Sequence, residues 1–429
     1  MKVLMFGWEF PPHISGGLGT ACLGLTKGLS SFKDIDLTFV VPKAFGDENV
    51  QGMNLLGASN IELSSEIISK QRDFEQKRFY EFNQRVFAYT TPQQYETYIN
   101  EQKVKFSNSH QIGSSGKLQF SGQYGKTLFE EISRYGVVAS EIAKNEKFDV
   151  IHAHDWLTYP AGIEAKKVSG KPLVVHVHAT EYDRSGENYI NDKVYQIERK
   201  GFEFADKVIT VSHFTRQIVI EKYRIAPSKV ITVHNGVEQA DNKNINYSLK
   251  RENDEQIVTF LGRITKQKGP EYFVQAAHKV LQKMENVRFV MAGSGDLLEK
   301  MIKNVARLKI ADKFNFTGFL KGDDVKKMYA MSDLYVMPSV SEPFGISPLE
   351  AIQSNVPVII SKQSGVSEVI NNALKVDFWD IEALADAIYG ILNYNPLGKL
   401  LKNKSKQEIY NLNWYKVAEK IKDIYYQVA

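Results

Sequence analysis

The sequence predicts an α/β protein of two doubly wound, parallel-sheet domains, and three observations carry that prediction. Two halves of the chain repeat one grammar: a short apolar run, a Gly- or Pro-bearing loop, then an amphipathic helix. The apolar runs are continuous rather than alternating, as in strands covered by helices on both faces. A chain of 429 residues also exceeds one ordinary core and suits two domains of about 200 residues each.

In the first half the expected strands are 3–7, 37–41, 150–154, 173–178 and 207–211; in the second they are 257–262, 288–292, 314–317, 334–337 and 358–361. The domain boundaries follow. Residues 1–237 form the first domain, 238–256 are a polar, aperiodic linker, 257–407 form the second domain, and 408–429 form a terminal helix. Residues 60–125 break the rhythm. They stand where one βα step belongs, yet they are long, polar and rich in Phe and Tyr, which marks an insertion.

Composition excludes several classes. With 43% hydrophobic and 24% charged residues the chain is globular, and no run of about 18 uncharged apolar residues offers a membrane span. Trp8 and Glu9 interrupt the opening where a signal peptide would stay apolar. The single cysteine, Cys22, rules out an internal disulfide and suits the cytoplasm. A net charge of +4 is too weak and too spread out to indicate nucleic acid. The one local run, Lys399, Lys402, Lys404 and Lys406, reads as a solvated helical face, against a membrane-surface patch.

Chemistry concentrates in four places. The loop from Pro11 to Gly19 joins the first strand to a helix expected to open at Thr20, and Gly16 and Gly17 let a ligand approach a helix N-terminus. Its spacing is not G-x-G-x-x-G, so a nicotinamide fingerprint fits poorly. In the second half, Arg263 ends a strand and Lys268 follows just before a helix, a placement suited to a diphosphate. Farther on, Glu342 and Glu350 bracket Pro343-Phe344-Gly345-Ile346 where a loop opens a helix. Glu342 can face a sugar, Glu350 can accept from a ribose diol, and Gly345 and Ile346 lie at the phosphate end. The fourth place holds two His-x-His pairs, His152/His154 and His176/His178, each on an apolar strand. Residues two apart point the same way along a strand, so each pair can grip a metal, and a metal-dependent hydrolase is the rival reading. No carboxylate or cysteine at metal spacing completes such a set. The other reading sends one histidine of each pair to the crevice while its partner packs. Asp34-Ile35-Asp36, the only D-x-D, precedes the second strand and reads as a turn.

Taken together, WEFPPHISGGLGTAC, HAHDW, HATEYDR, FLGRITKQKG, AGSGD and EPFGISPLE resemble the retaining GT-B glycosyltransferases of families 4 and 5, the group of the glycogen and starch synthases. The resemblance implies two Rossmann-like domains facing across a cleft, with the terminal helix crossing back to the first. It implies transfer of a hexosyl, foremost glucosyl, group from a nucleotide-sugar to an oligo- or polysaccharide such as an α-glucan, without a metal or other cofactor. By position, Arg263 and Lys268 match the diphosphate cations, Glu342 the donor-sugar glutamate, Glu350 the ribose carboxylate, His154 the catalytic histidine, and Gly16 and Gly17 the phosphate glycines. Asp155, His178, Glu181 and Tyr182 fall on the acceptor side. Ile14 stands where bacterial glycogen synthases carry Lys, which leaves UDP-glucose and ADP-glucose both open. A transferase for a cell-surface glycan and a nucleotide-sugar epimerase of the same fold are the alternatives.

Overall fold

A computed structural model describes residues 1–14, 16–50, 52–64, 116–186, 189–238 and 255–429. Most of the 60–125 insertion and of the 238–256 linker therefore lies outside the described residues. The chain divides into two compact units. One comprises Met1–Val211, Thr215–Val233 and Trp414–Ala429; the other comprises Ser212–Phe214 and His234–Asn413.

The N-terminal unit is built on a seven-stranded sheet in the order β3-β2-β1-β4-β5-β6-β7. Its strands are β1 (Lys2–Phe6), β2 (Asp36–Val41), β3 (Asn54–Gly57), β4 (Val150–His154), β5 (Leu173–Val177), β6 (Lys207–Thr210) and β7 (Val230–Thr232), paired parallel throughout. β1, β4 and β5 read KVLMF, VIHAH and LVVHV and are buried along nearly their whole length, as central strands must be. Tyr135, from the helix Leu128–Asn145, lies wholly inside and donates its hydroxyl to Val40 O at 2.7 Å and Gly7 O at 3.1 Å.

The second unit carries a six-stranded parallel sheet in the order β10-β9-β8-β11-β12-β13. The strands are β8 (Gln256–Leu261), β9 (Val287–Ala292), β10 (Phe314–Gly318), β11 (Leu334–Met337), β12 (Val358–Ser361) and β13 (Leu374–Val376). Phe273 of the helix Pro270–Leu281 packs edge-on against Phe289 and Phe314, with centroids 5.6 and 5.9 Å away. Both sheets are doubly wound, as the continuous apolar runs predict. Sequence reading missed β3, β7 and β13, each three or four residues long and partly exposed. These three edge strands are too short and too little buried to leave an apolar run, whereas the edge strand β10 keeps Phe314 and Phe316.

The terminal helix Trp414–Val428 belongs to the N-terminal unit and packs on the helix Gly17–Ser30. Gly24 and Gly28, one turn apart, make the approach possible: a Cβ on Gly24 would lie 2.1 Å from the Trp414 ring, and one on Gly28 would lie 2.5 Å from Trp414 O. The Asp34 carboxylate accepts from Lys422 Nζ and Tyr426 Oη, each at 2.9 Å, so the D-x-D turn serves as a clasp for this helix.

Candidate functional site

In the second unit the structure joins three loops at the ends of β8, β9 and β11. Gly262, Gly293 and Gly295 knit two of them: a Cβ on Gly293 would meet Gly262 O at 1.8 Å, and one on Gly295 would meet Ile264 O at 2.3 Å. Backbone approach alone therefore requires the AGSGD glycines. The turn Lys266–Lys268 is tied to the third loop by Gln267 O, which accepts from Val340 N at 2.8 Å. Gly269, in the left-handed region at φ +66, passes so close that a Cβ would sit 2.0 Å from Pro338 O.

This scaffold brings Lys268 and Glu342, which are 74 residues apart, into an ion pair. Glu342 is 5% exposed, and Ser339 Oγ donates to the same carboxylate oxygen at 3.2 Å. Its backbone is fixed on both sides, Glu342 N donating to Gln363 O at 3.0 Å and Gly365 N to Glu342 O at 2.9 Å. Arg263 Nη2 donates to Gln267 Oε1 at 3.1 Å. Gly345 lies at φ +98, and its Cβ position is 3.2 Å from Glu342 Cγ. Ile346 caps the helix Ser347–Gln353, which carries Glu350. Burial pushes the Glu350 carboxyl up, although Tyr329 Oη, 3.5 Å away, acts in the opposite sense. Tyr335 Oη donates to Ser347 Oγ at 3.0 Å and Leu261 O at 3.2 Å, so the start of that helix is pinned to the end of β8. Gln267, Ser339 and Tyr335 escape sequence reading because each acts by orienting another group of the site and not by meeting a ligand itself.

In the N-terminal unit the helix begins at Gly17 rather than Thr20, with Gly16 as its extended N-cap. A Cβ on either glycine would meet nothing within 4 Å, so neither packing nor conformation demands glycine there. The loop is instead held by Glu9, 5% exposed, which accepts from Gly19 N at 3.1 Å and Tyr124 Oη at 3.2 Å.

The histidines depart from expectation. His152, His154 and His176 are all buried, at 0–1% exposure, and only His178 is half-buried. β4 and β5 pair with His154 opposite His176, so the four rings stack two by two with centroids 4.4 Å apart along each chain segment. His152 Nδ1 meets Tyr425 Oη of the terminal helix at 2.5 Å, and His154 Nδ1 meets His178 Nε2 at 2.9 Å. Among the described residues, His152 Nε2, His154 Nε2 and both nitrogens of His176 have no partner. Burial, reinforced in the first three by neighbouring imidazoles, holds all four rings below the usual histidine range, His178 at about 3. The fold also adds Cys22, remote in sequence, to a group with His154 and His178 whose donor atoms lie within 4.8 Å of one another. His152, His154 and His176 form a second group of this kind, all three buried.

The expected acceptor-side residues also divide. Asp155, at φ +59 and 4% exposed, accepts from His178 N at 2.6 Å and Ala179 N at 3.3 Å. Burial raises its carboxyl to about 6 against the pull of Arg184. Glu181 is 2% exposed, and its oxygens take Asn191 N at 3.0 Å and Arg184 Nε at 3.4 Å. That makes Glu181 an internal strut, bound with Glu198 around Arg184. Tyr182 is half-buried and packs edge-on against Tyr195 and Tyr223.

Comparison with known proteins adds the lineage. Residues 241–408 match the family described as Glycosyl transferases group 1, and residues 127–241 match Glycosyltransferase Family 4. An uncharacterized glycosyltransferase of Methanocaldococcus jannaschii is 27% identical over 99% of this chain and 98% of its own. The glycogen synthase of Mycobacterium tuberculosis is 21% identical over 99% of this chain and 94% of its own. Among solved structures, HepE of Anabaena in complex with UDP and glucose covers all of both chains at a TM-score of 0.65 and 16% identity. With two parallel-sheet α/β domains, both family matches and full-length relatives in agreement, the chain belongs to the GT-B glycosyltransferases of the family 4 and family 5 type and is a hexosyltransferase.

Proposed function

We propose that this enzyme moves a glucosyl group from a nucleotide-sugar onto an α-glucan in the cytoplasm, with retention of configuration and without a metal. The observation that carries the reading is the Lys268–Glu342 pair beside Arg263 on a loop scaffold fixed by close backbone contacts. Two cations held in place can neutralise a leaving diphosphate without reorganisation, the service a metal renders elsewhere. Glu350 then takes the ribose hydroxyls, while Gly345, Ile346 and the open face over Gly16 and Gly17 take phosphate oxygens. The acceptor hydroxyl attacks the anomeric carbon on the face from which the diphosphate departs. The carbon–oxygen bond to phosphate breaks, and the phosphate oxygen receives the acceptor's proton. His154 Nε2 is the ring atom left to hold the sugar.

The bound UDP and glucose of HepE and the glycogen synthase relative favour a UDP- or ADP-glucose donor. A thermal-shift panel of UDP-, ADP- and GDP-sugars, followed by NMR of the first product on maltooligosaccharides, tests the proposal. An α-linked glucoside is expected. A β-linkage, a requirement for divalent metal, transfer only to a non-glucan acceptor, or conversion of the donor without acceptor would overturn it, the last in favour of an epimerase.

A further inference from the structure

The lysine run lies outside every site described above. It sits on the helix Asn395–Ile409 of the second unit. Several surface lysines elsewhere in that unit are matched: Lys279 with Glu382, Lys283 with Asp386, Lys303 with Glu299, Lys326 with Asp323, Lys327 with Asp324 and Lys362 with Asp377. On this helix none of Lys399, Lys402, Lys404 and Lys406 has an ion pair among the described residues. The sequence explains why, because no Asp or Glu occurs between Asp386 and Glu408. Glu408 itself is turned away, its carboxylate accepting from Asn371 N at 3.1 Å and Asn372 N at 3.0 Å.

Apolar bulk is exposed on this helix and at both its ends. Leu400 is 55% exposed on the helix, Tyr394 precedes it at 64%, and Tyr410 follows it at 71%. Leu397 and Leu401, one turn apart, face inward and anchor the helix to the core. The exposed side of the helix carries no acid, and Leu400 stands one turn before Lys404. Interleaved lysines and apolar side chains are what a helix lying on an anionic bilayer presents. A highly charged soluble polymer would satisfy the lysines but leave Leu400 and the tyrosines without a partner.

We propose that this helix is a peripheral docking surface for an anionic lipid bilayer, the lysines meeting headgroups while Leu400, Tyr394 and Tyr410 enter the interface. The contact is reversible, and among the described residues no helix is long and apolar enough to cross the membrane.

Co-sedimentation of the full chain with vesicles of phosphatidylglycerol and phosphatidylcholine, against phosphatidylcholine alone, tests it. Binding is expected only with the anionic lipid, and it should weaken as salt rises. The triple variant Lys399→Glu, Lys404→Glu, Lys406→Glu should lose at least ~10-fold in vesicle affinity. Its turnover of a soluble acceptor should be unchanged, because none of the three residues belongs to the transfer machinery. Leu400→Ser should weaken vesicle binding while leaving retention on a heparin column as it was. Equal binding to both lipids, no binding to anionic vesicles, undiminished binding of the triple variant, or heparin retention without vesicle binding would overturn the proposal.

Discussion

An ammonium and a carboxylate brought together at a loop junction gain most from each other where water is scarce, and Glu342 at 5% exposure meets that condition. Lys268 is less enclosed, so the pair is worth more for position than for stability. Charge-assisted bonds of this kind contribute about 1.5–3 kcal/mol in the ground state. More is expected where charge develops on a leaving group. Lys268→Ala and Arg263→Ala should each lower turnover roughly 10²–10³-fold, the usual loss on removing one preorganised donor. Lys268→Ala should also lower the melting temperature, since it leaves Glu342 buried without its cation. Arg263→Ala takes a donor from Gln267 Oε1, a neutral acceptor, and should melt closer to the parent. Steady-state kinetics beside thermal melts separate the two effects, and full activity in either variant removes the diphosphate assignment.

Between elements, two contacts decide how the N-terminal sheet is covered. The helix Gly17–Ser30 carries glycines at 24 and 28 although glycine inside a helix costs about 0.5–1 kcal/mol relative to alanine. Gly24→Ala regains that propensity but places a methyl 2.1 Å from the Trp414 ring. Overpacking of this kind costs about 1–3 kcal/mol, so the clash wins. The variant should melt lower, and limited proteolysis should cut the terminal helix first. The second contact is the imidazole stack of β4 and β5. Burial keeps His176 below its usual range, near 6.5, so the folded chain keeps a neutral ring while the unfolded chain gains a proton. The stability this contributes is present above pH ~6.5 and is lost as pH falls through and below that value. Raised carboxyls such as Asp155, at about 6, work in the opposite direction, so the comparison must be between variants. Relative to the parent, His176→Leu should gain up to about 1.4 kcal/mol per pH unit between pH 6.5 and 5. Parallel melting curves across that range would show that the ring is not held neutral.

At the scale of the molecule, two parallel-sheet units divide the work, and the proposed division has a measurable consequence. His154 lies in one unit, while Arg263, Lys268, Glu342 and Glu350 lie in the other. His154→Ala should lose most of its turnover yet bind the free nucleotide nearly as well as before. Calorimetry with UDP and ADP measures this, and a matched loss of nucleotide affinity would move the donor site. The sequence by itself determined the class of both sheets, because strands buried on two faces must be apolar along their length, as β1, β4 and β5 are. It also determined the loops at which Arg263, Lys268 and Glu342 stand and the helix that carries Glu350, since strand ends and helix starts are local events. Edge strands β3, β7 and β13 were not legible, for they bury too little. Only the tertiary structure decided that Lys268 pairs with Glu342, that Glu181 is a strut, that Cys22 joins the histidines and that Gly24 receives Trp414. All but the Glu181 strut rest on contacts between residues far apart in the chain, and that strut rests on how a loop and two helices meet. Periodicity and spacing report which face a side chain takes within its own element, and what meets that face is set by how the elements pack.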